Sequence, residues 1–157
     1  MGNGKFCLPS EAAWEYACRA GTVTPFHFGE TISTDQANYD GRYVYGPGKK
    51  GVYRKKTMPV GSFAANAWGL HDMHGNVWEW CEDWYHDSYS DSRMDGGALA
   101  SPQMLDGWYG PKQKYSDRVL RGGSWSNRPG YARAASRRIE ISYIRAEDYG
   151  FRLLRTP

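Results

Sequence analysis

Beyond Gly21, no stretch of this chain sustains a helical period. Asp40-Gly41, Pro47-Gly48, Gly96-Gly97, Gly122-Gly123 and Pro129-Gly130 cut it into short pieces, each pair a turn signal. A fold assembled from such pieces cannot rest on long aliphatic helices. Its core has to come from large side chains on short elements, and the 7 Trp and 12 Tyr can supply it. The 157 residues suffice for one domain. With 40% apolar and 24% charged residues the chain reads as globular rather than disordered. No window approaches the roughly 20 apolar residues of a membrane span. No hydrophobic run follows Met1-Gly2-Asn3-Gly4-Lys5, so no secretory leader is visible and no membrane partner is expected.

One helix is well marked. Ser10 is an N-cap serine, Glu11 complements the dipole in the first turn, and Ala12 to Ala20 follow with Gly21 as the C′ residue. Trp14 and Cys18, with Ala13 and Ala17, give one buried stripe. Short strands are expected over Thr57–Val60, Val77–Cys81, Arg118–Leu120 and Phe151–Leu154. The stretch from His86 to Tyr115 reads as a long surface excursion. The fold class is α+β, with few helices, short strands and extensive loops.

Charge is distributed unevenly. From Asp72 to Asp106 there are eight acids and one base, and from Arg118 to Pro157 nine arginines and three acids. The two segments are expected to pair, arginine being the better bidentate partner for carboxylate. A net charge of +3 with one basic cluster, Lys49 to Lys56, argues against a nucleic-acid partner. Cys7, Cys18 and Cys81 are widely spaced with no CxxC, which speaks against structural zinc and against a disulfide framework. A reducing compartment, the cytoplasm, is the expectation. Neither Cys18, near a helix C-terminus, nor Cys81, beside Glu82 and Asp83, has a setting that favours thiolate.

Gly75-Asn-Val-Trp-Glu-Trp80 is the densest feature. Alternation puts Trp78 and Trp80 on one strand face and Glu79 on the other. Glu79, Asp72 and the carbonyls of the glycine turn offer the oxygen donors a calcium ion needs. The competing reading is a strand glutamate paired with a C-terminal arginine. The pair His71 and His74, with His86 nearby, invites a metal, but no third ligand has the expected spacing.

Five blocks occur in order: Leu8-Pro-Ser-Glu-Ala-Ala-Trp-Glu-Tyr-Ala17, Pro59-Val-Gly-Ser-Phe63, Gly69 to Trp80, Arg121-Gly-Gly-Ser-Trp125 and Gly150-Phe-Arg152. Together they resemble the formylglycine-generating enzyme (sulfatase-modifying factor) family, from Leu8 nearly to the end. The resemblance implies a C-type-lectin-like architecture in one domain, 1–157, short of the N-terminal part that family members usually carry. It also implies copper held by two cysteines shortly after the Gly-Gly-Ser-aromatic block. Trp125 to Arg137 contains no cysteine, and a copper(I) site wants soft thiolates. Copper is therefore not expected, and the enzyme reading loses ground. Asp72, Gly75, Val77 and Glu79 resemble one family calcium site. Asn38 and Tyr39 resemble part of another, whose aspartate would fall near Val52.

The frame Arg118-Val-Leu-Arg-Gly-Gly-Ser-Trp125 with Gly150-Phe-Arg152 near the chain end also resembles the variable proteins of diversity-generating retroelements. That resemblance implies a ligand-display segment over 118–155. Its display positions would be Ser126, Asn127, Arg128, Tyr131, Ser136, Ile139, Ile141, Tyr143, Ile144, Asp148 and Tyr149. Adenine-directed change of Asn codons cannot produce Glu140 or Glu147, which need another template codon. The expectation is a non-catalytic binding module whose partner is a protein or other macromolecule. The alternative is a metal-dependent oxidoreductase of the same family with a relocated active site.

Overall fold

A computed structural model describes residues 4–88, 95–99 and 117–156. Helix α1, Glu11–Arg19, begins where the Ser10 side chain accepts the Ala13 N–H at 3.1 Å. It ends one residue earlier than the glycine signal suggests. Ala20 itself takes the left-handed conformation, φ 44°, and donates to the Tyr16 carbonyl. Trp14 and Cys18 form the buried stripe, while Ala13 and Ala17 lie at its margin.

The strands are β1 (Phe6–Cys7), β2 (Trp78–Trp84), β3 (Asp117–Arg121), β4 (Arg137–Ile141), β5 (Tyr149–Gly150) and β6 (Leu154–Arg155). A 3-10 turn, Pro129–Ala132, stands between β3 and β4. The main sheet has the order β4-β3-β2-β5, with β3 antiparallel to both neighbours and β5 parallel to β2. Strands β1 and β6 pair separately and bring the two ends of the described chain together. Thr57–Val60 is not a strand, because the Met58 N–H and carbonyl are taken by the Asn76 side chain instead of a ladder. Phe151–Leu154 is not one strand either. Its middle leaves the sheet where Arg152 turns back to β2. Most of the His86–Tyr115 excursion lies outside the described residues.

Two apolar clusters make the core. Trp14, Cys18, Met73, Cys81, Val119 and Ala134 fill the space between α1 and the sheet. Phe26, Ile32, Ala37, Tyr39 and Ala132 form the second, under the irregular N-terminal half. His74 lies between them, 2% exposed. Its Nδ1 is 2.7 Å from the Ala132 carbonyl, and its Nε2 accepts the His27 N–H at 3.1 Å.

The Gly75–Trp80 block is the junction of all these parts. Gly75 has φ +82°, and a Cβ there would lie 2.3 Å from the Asn38 carbonyl oxygen, so only glycine fits. Asn76 donates its N–H to Asn38, and its carbonyl receives the Trp125 N–H. Trp78 donates to the Asp148 carbonyl. One short block thus fixes the Asn38 loop, the segment after β3 and the segment before β5.

Candidate functional site

Register divides the sheet residues between two faces. Glu79, Arg121 and Arg137 stand in one row across β2, β3 and β4, and Trp80, Leu120 and Arg138 in the next. The first row faces α1: Arg121 and Arg137 both reach Glu11, and Glu79 accepts the Trp14 Nε1–H at 2.6 Å. The second row faces away from the helix. There the Arg138 guanidinium lies 5.7 Å from the Trp78 ring and 5.3 Å from that of Tyr149. Tyr149 packs edge-on to Trp80 and donates its hydroxyl to Glu140 at 2.7 Å. Burial and that acceptor push the Tyr149 hydroxyl up to about 12.

The segment after β3 is held rigidly at its start. Gly123 has φ +72°, and a Cβ there would lie 2.9 Å from backbone atoms of Tyr131 and Ala132. The Ser124 and Ser126 hydroxyls converge on Asp148 Oδ2 at 2.7 and 2.9 Å, and the Asn127 carbonyl accepts the Asp40 N–H. Only then does the chain turn outward. The Arg128 guanidinium lies 4.3 Å from the centre of the Tyr43 ring, and Tyr131 is half exposed. Between Tyr43–Tyr45 and Arg128–Arg137 runs a groove of about 780 Å³. Asp40 lies below it, held under the usual carboxylate range by hydrogen bonds from Arg42.

The display positions therefore separate. Arg128 and Tyr131 line the groove, with Asn127 beside them. Tyr143 and Ile144 are exposed beyond β4, and Tyr149 is half-buried on the outward sheet face. Ser126 and Asp148 belong to the hydrogen-bonded frame. Ser136 is buried but is among the residues lining the groove, and its carbonyl accepts from Arg121 at 2.5 Å. Ile139 pairs with Val119, and Ile141 with Asp117, on the opposite face of β4 from Arg138 and Glu140. On that face Ile139 is exposed and Ile141 half-buried. Tyr43 and Tyr45, the opposite wall of the groove, carried no sequence signal. They reach it through a loop some 85 residues upstream of Arg128.

The residues of the calcium set have protein partners. Both oxygens of Glu79 are held by Arg152, at 2.5 and 2.7 Å, so its charge is already neutralised. Asp72 accepts the Gly61 N–H, and the Gly75 carbonyl accepts the Val77 N–H. Val77 supplies only a backbone oxygen to the set. In the second set, Asn38 Oδ1 is a buried acceptor without a hydrogen-bond partner, but the Tyr39 hydroxyl donates to Ile32 and Val52 brings no charge. Among the described residues, no three His, Cys, Asp or Glu side chains are grouped to hold a metal ion, and His71, His74 and His86 do not converge.

Among the described residues the charge expectation is met in part. Glu79 of the acidic segment pairs with Arg152, whereas buried Arg121 and half-buried Arg137 reach Glu11 and Glu15 of the helix. Cys18 and Cys81 are buried thiols. Desolvation pushes Cys18 up to about 12 and Cys81 well above the ordinary thiol value.

The profile of the sulfatase-modifying factor enzyme 1-like domain matches residues 2–157. A serine/threonine-protein kinase, pkn1, of Chlamydia caviae is 40% identical over 147 residues, which are 92% of this chain and 20% of the kinase. The formylglycine-generating enzyme of Mycobacterium tuberculosis is 35% identical over 160 residues, 96% of this chain and 51% of the enzyme. Among solved structures, PvdO from Pseudomonas aeruginosa superposes with a TM-score of 0.76 at 32% identity, covering 97% of this chain and 53% of PvdO. Treponema denticola variable protein 1 superposes with a TM-score of 0.66 at 34% identity, covering 94% and 46%. The chain thus spans about half the length of these enzymes and structures and a fifth of the kinase. With its single described helix, short strands and extended loops, it belongs to the sulfatase-modifying factor enzyme 1-like family.

Proposed function

We propose that this chain is a non-catalytic ligand-binding module. Its binding surface would be the groove lined by Arg128 and Tyr131, extended by Tyr143, Ile144 and the outward face at Tyr149. The observation that carries this reading is the fate of one segment. Where the family resemblance implies redox cysteines, Trp125 to Arg137 has none and presents exposed Arg128 and Tyr131 on a frame fixed by Asp148 and the Asn38–Asn76 junction. Exposed aromatic and arginine side chains on a rigid base are what protein recognition uses for its anchors.

The likeness to a variable protein supports a further step, that the segment is diversified by a retroelement. A variable segment requires a frame that folds whatever the displayed residues are. The frame here is made by Gly122 to Ser124, Asp148 and Arg152, none of which lies on the exposed rim.

The test has two parts. Simultaneous substitution of Arg128, Tyr131, Tyr143 and Ile144 is expected to leave the melting midpoint within roughly 2 °C, because exposed positions contribute little. Sibling copies of the gene from the same source are expected to differ mainly between residues 126 and 149. Loss of folding in the fourfold variant overturns the display reading. Siblings that differ evenly along the chain overturn diversification.

A further inference from the structure

The groove beside Arg128 has a charge character that the display reading does not specify. Among the described residues, neither Arg128 nor Arg133 is in an ion pair, and no Asp or Glu lines the groove. The neighbouring arginines are already neutralised: Arg137 forks onto both oxygens of Glu11, and Arg42 onto Asp40. Two positive charges are therefore left over.

Both are pre-positioned. The Tyr43 ring holds the Arg128 guanidinium by cation–π attraction without neutralising it. The N–H groups in the guanidinium plane remain available for a bidentate carboxylate. Arg133 is fixed through Nε to the Gly130 carbonyl at 2.9 Å, which leaves its two terminal nitrogens for a ligand. Tyr131 and Tyr45 add apolar surface to the same groove.

From this we infer that the groove takes an acidic peptide segment in extended conformation. The inference rests on the display reading and names its ligand class. A cavity of about 780 Å³ is far larger than one carboxylate or one phosphate requires, and the tyrosine surfaces would cover the chain between two acidic side chains. Nucleic acid fits less well. It calls for a basic stripe along the backbone path, and the lysines of the Lys49–Lys56 cluster do not line the groove.

The experiment is fluorescence anisotropy on the full chain with a short labelled peptide of alternating glutamate and tyrosine. Its lysine-for-glutamate counterpart and a single-stranded oligonucleotide serve as competing probes. Saturable binding of the glutamate peptide is expected, weakening with salt. Arg128→Ala and Arg133→Ala should each weaken it about tenfold, the usual loss for a charge-assisted hydrogen bond. Arg128→Lys should recover only part of that, since the fork is lost. Melting curves of all three variants should match that of the parent chain. Equal binding of the lysine peptide, tighter binding of the oligonucleotide, or unchanged affinity in both alanine variants overturns the inference. The display reading fails separately, through the fourfold variant and the metal content of the chain, neither of which depends on the peptide.

Discussion

Arg152 holds both carboxylate oxygens of Glu79, 73 residues earlier, at 2.5 and 2.7 Å. The pair joins the end of the chain to the central strand and occupies the oxygens a cation would otherwise use. Glu79 also accepts the indole N–H of Trp14, so helix, strand and C-terminal segment meet at one carboxylate.

Arg152→Ala leaves a buried carboxylate with a single neutral donor. The expected cost is about 3 kcal/mol, a fall in melting midpoint of roughly 6–12 °C for a domain of this size. Calcium should neither restore the midpoint of the Arg152→Ala variant nor raise that of the parent chain. Scanning calorimetry with calcium and with chelator checks both statements.

Arg121 is fully buried and donates to the Ser136 and Ala134 carbonyls, at 2.5 and 2.7 Å, and to Glu15, with Glu11 ion-paired 3.5 Å from its Nε. Lysine has one ammonium and cannot reach three acceptors in a fork. Arg121→Lys is expected to destabilise by about 3–5 kcal/mol in urea unfolding, nearly as much as Arg121→Met. A lysine variant within about 1 kcal/mol of the parent would mean that charge alone, not the fork, is what the site requires.

Burial lowers His74 from 6.5 to about 4. Its folded value is depressed, so the neutral ring contributes stability that is complete above 6.5 and drains away as pH falls toward 4. Between pH 7.5 and pH 5 this single group should remove about 2 kcal/mol. His74→Gln should be less stable at pH 7.5, because one side-chain amide cannot match both ring nitrogens, but should show a flatter profile over that interval. Urea titrations at the two pH values decide it.

The thiols should react unequally. Cys18 and Cys81 are buried and held protonated, whereas Cys7 is partly exposed in β1. Iodoacetamide at neutral pH is expected to modify Cys7 alone in the folded chain, and all three cysteines only in denaturant. Peptide mapping by mass spectrometry reads the outcome. Rapid labelling of Cys18 or Cys81 would show a core that opens readily.

Helix α1 and strands β2 and β3 were legible because their signals are local: a capping serine, an i,i+4 stripe, a tryptophan alternation. The partners of the arginines were not. Arg121 and Arg137 meet Glu11 and Glu15 across more than a hundred residues, which a charge census by segment does not reveal, although it does anticipate the pairing of Arg152 with Glu79. Glu79 illustrates the same limit. Its oxygen chemistry suits calcium or arginine equally, and only the return of Arg152 from beyond β5 reveals the arginine partner. Ile139 and Ile141 share the face of β4 opposite Arg138 and Glu140, where Ile139 is exposed and Ile141 half-buried, a division that strand register sets and side-chain chemistry does not show. The groove was half visible. Arg128 and Tyr131 stood out after the Gly-Gly-Ser block, while Tyr43 and Tyr45 come from a loop without periodicity.

The most direct test of a non-catalytic module is the copper and iron content of the purified full chain, counted per monomer after dialysis without chelator. The segment from Trp125 to Arg137 offers no thiolate, and Cys18 and Cys81 are buried and protonated. Trace amounts of both metals, well below one per chain, are therefore predicted. One copper or one iron per chain, retained through dialysis, would contradict the binding-module reading and restore an oxidoreductase with a relocated site.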